Sequence, residues 1–463
     1  MINKKIPLFK PYLIIICSSL VLLILLISNI GYYSHDEWQK LDYILVHGIK
    51  SYIFAFGSIH VGDTFATPVR PVSFIIQGGY ALFMENYPVV VHTCDVLSHA
   101  IIACLLYKVI LRFGGCKKMA LIASLIFVVN PLSMIAVGWS AALMDRYYVL
   151  FGLLTLLCVD SYVRLRSSSI ILLLVLIFSF LSIMSKETAI ILPSLVCLIL
   201  FKDLNFIKSK RFWVGLIVWS IPAVTYLIYR LPALIVSFSN HVNGTYSPHL
   251  SSVVDNVILS FLYPFAINLA ESGNWIFISD TYLTIYFCIH LIVLAVVGRT
   301  LGIKYVFFYL FLYFICLVPV LTLPLVAGQY LYASGLIFSV MISSLIISTC
   351  RYNFILRISS LLLVILVVLH SYYIQLNVYQ RGECMNTAMV SMESVYLSSS
   401  RPTQVFFKAD PGAPLWIIDS IITGRGRIGV YDNLSLKSLQ SDAIVSPNNL
   451  VIWMNKDCIE YAK

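Results

Sequence analysis

Apolar runs long enough to cross a lipid bilayer recur along the whole of this 463-residue chain. Each crossing needs about 20 mostly apolar residues to bridge about 30 Å of hydrocarbon. The first run, Pro11 to Gly31, follows Lys4, Lys5 and Lys10. It is too long for the apolar part of a signal peptide and no small-x-small cleavage site follows it, so it reads as an uncleaved first span with a cytoplasmic N-terminus. Further runs lie near residues 88–111, 119–137, 146–163, 169–184, 188–201, 212–231, 281–298, 305–323, 330–349 and 354–374. The expectation is therefore an all-α polytopic membrane protein with about 11 transmembrane helices over residues 1–374. Composition agrees, with 60% hydrophobic and 11% charged residues against about 45–50% and about 25% in soluble domains. A soluble enzyme, a disordered chain and a disulfide-stapled secreted domain are excluded.

The net charge of +10 is a topology signal. Nucleic-acid binding needs basic residues gathered on one face, whereas here they are scattered between apolar spans. Every predicted inner loop is basic, through Arg112, Lys117 and Lys118, Arg164 and Arg166, Lys202, Lys208, Lys210 and Arg211, Arg299 and Lys304, and Arg351 and Arg357. The outer connections, 32–87 and 232–280, are longer and mixed in charge, as the positive-inside rule requires. An odd number of spans places the C-terminus outside. Most cysteines sit in or beside apolar segments, where the thiol behaves as a small hydrophobe. Cys384 and Cys458 alone fall in the polar tail, where pairing would need an oxidising compartment.

Two outer stretches are apolar without reading as spans. Residues 71–86 hold Gln77, Gly78, Gly79 and Glu85, and residues 253–270 hold Asp255, Asn256, Pro264 and Asn268. Both suit helices lying in the interface plane. Residues 375–463 have ordinary polarity, with apolar runs Leu415 to Ile418 and Leu450 to Met454 that suit short strands; they form a small extracytoplasmic tail or domain. No tandem repeat or low-complexity tract is apparent. Charges in the middle of spans, which mark transport pathways, are nearly absent.

Polar chemistry gathers instead at the outer boundary, in five clusters. His35, Asp36, Glu37 and Trp38 follow the first span, and two adjacent carboxylates at a low-dielectric edge suit a general base for a hydroxyl; a solvated loop with a belt Trp is the alternative. Arg70-Pro71 precedes His92, Asp95 and His99, which share one helical face at the start of the second span. They read as the rim of a cleft or as satisfied helix-end groups, and the spacing lacks a compact metal-binding pattern. Trp139, Asp145 and Arg146 lie at the next outer connection, and Ser185, Lys186 and Glu187 at the one after. Outer cations on short turns run against the charge rule, and a phosphate would account for them; a local pair, Arg146 with Asp145 or Lys186 with Glu187, is the alternative. Tyr330 and Tyr332 flank Leu331 as belt anchors or cleft residues. All five clusters fall on one side of the membrane, which implies one outward-facing cleft.

The ordered set resembles the C-type, multi-span glycosyltransferases. It comprises an acidic pair after the first span, Arg70-Pro71, His92 to His99, Asn130-Pro131 with Trp139 to Arg146, Ser185-Lys186-Glu187, and Tyr330-Leu331-Tyr332. The likeness covers about residues 30 to 350 and is strongest to the protein O-mannosyltransferase-like branch, including the membrane part of the transmembrane and tetratricopeptide-repeat mannosyltransferases. It implies a polyprenyl-phosphate sugar donor, with Asp36 as the base for inverting attack and Glu37 supporting it. Arg70, Arg146 and Lys186 become candidates to hold the departing lipid phosphate, and His35, His92, Asp95, His99, Asp145, Glu187, Tyr330 and Tyr332 line the cleft. The mechanism implied requires no metal and no cofactor. No tetratricopeptide repeats follow the membrane part, and Ala142-Leu143-Met144-Asp145-Arg146 stands where Gly-Arg-x-Asp is expected. The short tail looks like bacterial inner-membrane enzymes that decorate O-antigen or other envelope glycans from undecaprenyl-phosphate sugars. The acceptor expected is a glycan, lipid or protein at the periplasmic face. A polysaccharide polymerase or ligase using diphosphate-linked glycans, and a lipid or sugar flippase, are the competing readings.

Overall fold

The computed structural model describes residues 9–57, 70–164, 168–240, 249–267, 269, 279–324, 326–350, 354–398, 404–409, 435–438, 450–454, 458 and 460–462. The first helices are α1 (Lys10–Leu22), α2 (Ile24–Ile27), α3 (His35–Gly57), α4 (Pro71–Met84) and α5 (Pro88–Arg112). Next come α6 (Lys117–Val128), α7 (Pro131–Gly138), α8 (Leu143–Arg164), α9 (Ser169–Ser185), α10 (Cys197–Lys202) and α11 (Lys210–Asn240). The last are α12 (Ser252–Leu262), α13 (Asp280–Leu301), α14 (Ile303–Ile315), α15 (Tyr332–Thr349) and α16 (Phe354–Ser398). Tighter 3-10 turns occupy Ser140–Ala142, Glu187–Val196 and Gly328–Leu331.

Among the described residues six helices are long and apolar enough to cross a membrane, or seven if the bent pair α6 and α7 forms one span. Four further sequence runs become shorter apolar helices: α1, α9, Glu187–Ile199 and α14. At about 1.5 Å per residue, the 13 residues of α1 reach about 20 Å, less than the hydrocarbon width. The two apolar stretches set apart from the spans fold as the short apolar helices α4 and α12, of 14 and 11 residues. Apolar side chains such as Ile285, Ile292, Leu361, Leu362 and Leu369 stand exposed on α13 and α16, the lipid-facing surface expected of a bundle whose solvent is hydrocarbon.

A 52° bend separates α6 from α7, and its cause is local. Asn130 caps α7 by accepting from the Leu132 amide at 3.0 Å, Pro131 has no amide to extend α6, and the Asn130 amide nitrogen donates to Gly335 O and Ser339 Oγ, both at 2.8 Å. The bend points the end of α7 at the turn Ser140–Ala142, where the outer polar clusters meet.

The chain is not helical throughout. The polarity change near residue 375 marks no break in the backbone, since α16 continues to Ser398. Its second half packs with Tyr32, Trp38, Leu41, Met84, Val405, Phe407 and Ile452 in a second hydrophobic core. That core joins α3 to a four-stranded sheet of β1 (Gln404–Ala409), β2 (Ser435–Ser438), β3 (Leu450–Met454) and β4 (Glu460–Ala462). The order is β2-β1-β3-β4, with β1 parallel to both neighbours and β4 antiparallel to β3. The apolar run at 450–454 is thus a strand, as its composition suggests; the run at 415–418 lies outside the described residues. Cys384 on α16 and Cys458 before β4 form a disulfide.

The segment between α2 and α3 meets α16 almost backbone to backbone. A Cβ on Gly31 would overlap Gly382 O, and one on Gly382 would collide with the Asn29 side chain. Asn29 itself donates to Val378 O at 3.2 Å and accepts from the Gly31 amide at 3.0 Å. Overpacking of this kind costs about 1–3 kcal/mol. Gly382→Val should lower the thermal midpoint of the detergent-solubilised protein by several degrees, and an unchanged midpoint would mean that this crossing is not close.

Candidate active site

The helix α3 opens with Asp36 and Glu37 in its first turn, where free amides and the helix dipole favour carboxylates. Glu37 turns inward and is buried. Its carboxylate accepts from Trp139 Nε1 at 3.1 Å and from the amides of Ser34 and Ala141 at 3.3 Å each. It therefore ties α3 to the turn after α7. Burial pushes its pKa from 4.5 up to about 8, with Asp36 adding to the rise while Lys40 and the amide donors oppose it. Asp36 is half-buried beside it, and Lys40, one helical turn on, has its pKa lowered by burial against the pull of both carboxylates. His35 begins the helix, and its side chain lies outside the described residues.

The three cations singled out from the sequence each meet a carboxylate, but never the neighbouring one. Asp145 and Arg146 are adjacent on α8, where i and i+1 do not face each other, and Lys186 reaches Asp145 instead of Glu187. Arg70, at the N-terminus of α4, makes a two-point contact with Glu187, Nε to Oε2 at 2.7 Å with Nη2 to Oε1. Lys186 pairs with Asp145 of α8, and Arg146 pairs with Asp95 of α5. Ser140 Oγ donates to the second Asp95 oxygen at 2.5 Å. Arg146 Nη1 also donates to Ala136 O and Val137 O, satisfying carbonyls that the end of α7 leaves open. Lys186 sits in extended backbone where α9 ends, with Nζ 4.4 Å from the centroid of the Tyr330 ring.

Exposure grades across this layer. The Arg146 and Asp95 side chains are both 0% exposed and those of Lys186 and Asp145 both 2%, while Arg70 is 8% and Glu187 36% exposed. The Glu187 end is open and the Asp95 end is sealed.

The remaining predicted residues join helices. His99 Nε2 lies 3.2 Å from Phe127 O, and its Nδ1 lies 2.7 Å from the hydroxyl of Tyr332. Donation by Nε2 to the carbonyl leaves Nδ1 to accept from Tyr332. His92 Nε2 donates to Gly31 O at 2.9 Å. His92, Asp95, His99 and Tyr332 are buried, and Tyr330 is half-buried at the open side.

Lys40 escaped sequence reasoning, although its i+4 spacing from Asp36 was a visible signal. So did Ser140, whose role depends on a fold contact with α5. Among the described residues no group of three His, Cys, Asp or Glu side chains is arranged to hold a metal ion. Chemically, the layer offers a half-buried carboxylate, Asp36, on the same short helix turn as Lys40, which feels the charge of Arg70.

ArnT from Cupriavidus metallidurans, solved with undecaprenyl phosphate bound, superposes at a TM-score of 0.52 with 10% identity, over 96% of this chain and 93% of that one. The oligosaccharyltransferase of Archaeoglobus fulgidus, solved with a tethered acceptor peptide, superposes at 0.50 with 11% identity, over 93% of this chain and 64% of its own. The chain has the fold of the C-type glycosyltransferases. No protein-family model matches the chain, and no curated protein matches it by sequence. At such identities the likeness rests on the arrangement of helices.

Removing one member of a buried ion pair costs about 3–5 kcal/mol, because the other charge is left alone, whereas replacing both with apolar residues is often near neutral. Asp95→Ala should therefore lose about that much unfolding free energy, and Asp95→Leu with Arg146→Met should recover most of it. Equal losses in the two variants, measured by denaturation in detergent, would contradict a paired origin. Glu37 gives a second test. Between about 4.5 and 8 the folded chain keeps the Glu37 proton that the unfolded chain releases, so stability contributed by this group falls as pH rises through that window. The thermal midpoint should decline accordingly, with a flatter profile in Glu37→Gln; identical profiles would contradict it.

Proposed function

We propose that this chain is an integral membrane glycosyltransferase. It moves a sugar from a polyprenyl-phosphate donor, undecaprenyl phosphate in a bacterial inner membrane, to an envelope glycan, lipid or protein acceptor at the periplasmic face. One observation carries the reading. On a C-type fold, an acidic pair at the start of the first outer helix stands with Lys40 near an arginine whose own carboxylate partner is open to solvent. The undecaprenyl phosphate in the ArnT structure supports the choice of carrier.

In this mechanism Asp36 takes the proton of the acceptor hydroxyl as that oxygen attacks the anomeric carbon. The bond from carbon to phosphate oxygen breaks on the opposite face, and the electron pair leaves with the lipid phosphate, inverting the centre. Arg70 and Lys40 meet the charge that develops there, where fixed cations need no reorganisation. Glu37 positions Asp36 by holding the turn after α7 through its three donors. The sealed pairs of Arg146 and Lys186 fix the frame in which Arg70 stands.

The topology that serves this chemistry has eleven crossings, the N-terminus cytoplasmic and the C-terminus periplasmic. The shorter apolar helices complete the count with the bent pair: α1 continued by α2, α9, Glu187–Ile199, and α14 continued by the turns at 316–322. The disulfide between Cys384 and Cys458 supports an oxidising outer compartment for the tail. Residues 1–374 form the catalytic membrane part and residues 375–463 its outer cover.

Reconstituted with radiolabelled undecaprenyl-phosphate sugars and envelope acceptors, the protein should transfer label. Asp36→Asn should reduce the rate by about 10²–10⁴-fold, the range of a general base. Full activity in that variant would turn the reading toward a polymerase or ligase, and an untouched donor with folded parent protein would turn it toward a flippase.

A further inference from the structure

A second set of buried charges lies at the other end of the bundle. Asp160 is fully buried on α8 and accepts from Nε of both Arg112, the last residue of α5, and Arg164, one turn further on α8. Arg112 follows Asp95 by seventeen residues and Asp160 follows Arg146 by fourteen. At about 1.5 Å per residue the two layers stand about 20–25 Å apart, so this cluster belongs to the opposite membrane face. Among the described residues two guanidinium groups face this one carboxylate, an excess of one positive charge. The Arg164 guanidinium carbon lies 5.0 Å from the Phe206 ring centroid and 6.0 Å from that of Phe113. Its Nη2 is buried without a hydrogen-bond partner among the described residues.

Phe113 also lines a cavity of about 510 Å³, within the about 300–1,000 Å³ range of ligand pockets. Its wall is apolar, from Leu106 and Ile110 on α5, Leu156 on α8 and Leu336 and Val340 on α15. A greasy chamber thus shares a wall residue with a net-positive arginine pair.

We propose that this end of the bundle binds an anionic phospholipid of the bilayer, with its phosphate on Arg164 and Arg112 and an acyl chain in the cavity. Charge complementarity selects the occupant. Asp160 alone requires one arginine, and the second leaves a donor and a charge that a phosphate would match. Basic pockets between transmembrane helices on the cytoplasmic side are where acidic headgroups bind. The leaflet rests on the topology proposed above, while the site itself does not depend on glycosyl transfer. The lipid would brace the inner ends of α5 and α8, whose outer ends carry Asp95 and Arg146.

Native mass spectrometry of the full chain, titrated with phosphatidylglycerol or phosphatidylcholine of matched chains, tests this. The parent should retain phosphatidylglycerol by about fivefold over phosphatidylcholine. Arg164→Gln, which leaves Asp160 paired with Arg112, should abolish that preference. Ile110→Trp keeps every ion pair but fills the cavity, and should reduce retention of both lipids. Equal retention of the two lipids by the parent, or an unchanged preference in folded Arg164→Gln, overturns the proposal. Displacement of phosphatidylglycerol by equimolar undecaprenyl phosphate also overturns it, by assigning the site to the carrier lipid.

Discussion

Six charges that sum to zero, Arg70 with Glu187, Lys186 with Asp145 and Arg146 with Asp95, hold one end of the helical bundle together. Each pair crosses between elements. An unpaired ion buried at that depth costs several kcal/mol, so α4, α5, α8 and the end of α9 reach low energy only when all are in register. The bend at Asn130-Pro131 belongs to the same arrangement, because it carries the open carbonyls of α7 to Arg146. Trp139 and the Ala141 amide then hold Glu37, and with it the start of α3.

The layer is graded in exposure from the Asp95 pair to the Glu187 pair. At the Asp95 end both side chains are fully buried, whereas at the Glu187 end the carboxylate is 36% exposed. In the proposed function a phosphate entering there competes for Arg70 without dismantling the rest. The second half of α16 and the sheet close over α3 from the other side, through the Gly31–Gly382 crossing and the second core.

The apolar runs were legible because hydrocarbon imposes length and composition together, and the five outer clusters because charges are excluded from the spans between them. The pairings were not legible. Asp145 and Arg146 look like partners in a string and face different helices in space, and nothing in the sequence near Lys186 names Asp145. Residues 35–57 escaped as a helix because α3 carries mixed polarity and breaks at Gly48, where φ is 80°. The extension of α16 was hidden for a different reason. Hydropathy reports solvent, not backbone, and Gln375 to Ser398 holds a single glycine and no proline, so the helix continues after the membrane pattern ends.

The central claim is that the open end of the charged layer receives the donor phosphate while the sealed end is scaffold. Equilibrium binding of undecaprenyl phosphate to the purified protein tests it most directly, with Arg70→Gln compared with the paired replacement Asp95→Leu and Arg146→Met. The account predicts that Arg70→Gln weakens binding by about tenfold or more, as expected for loss of charged hydrogen bonds, while the paired replacement leaves it within about threefold. Binding that survives loss of Arg70 and fails with the sealed pair would contradict it.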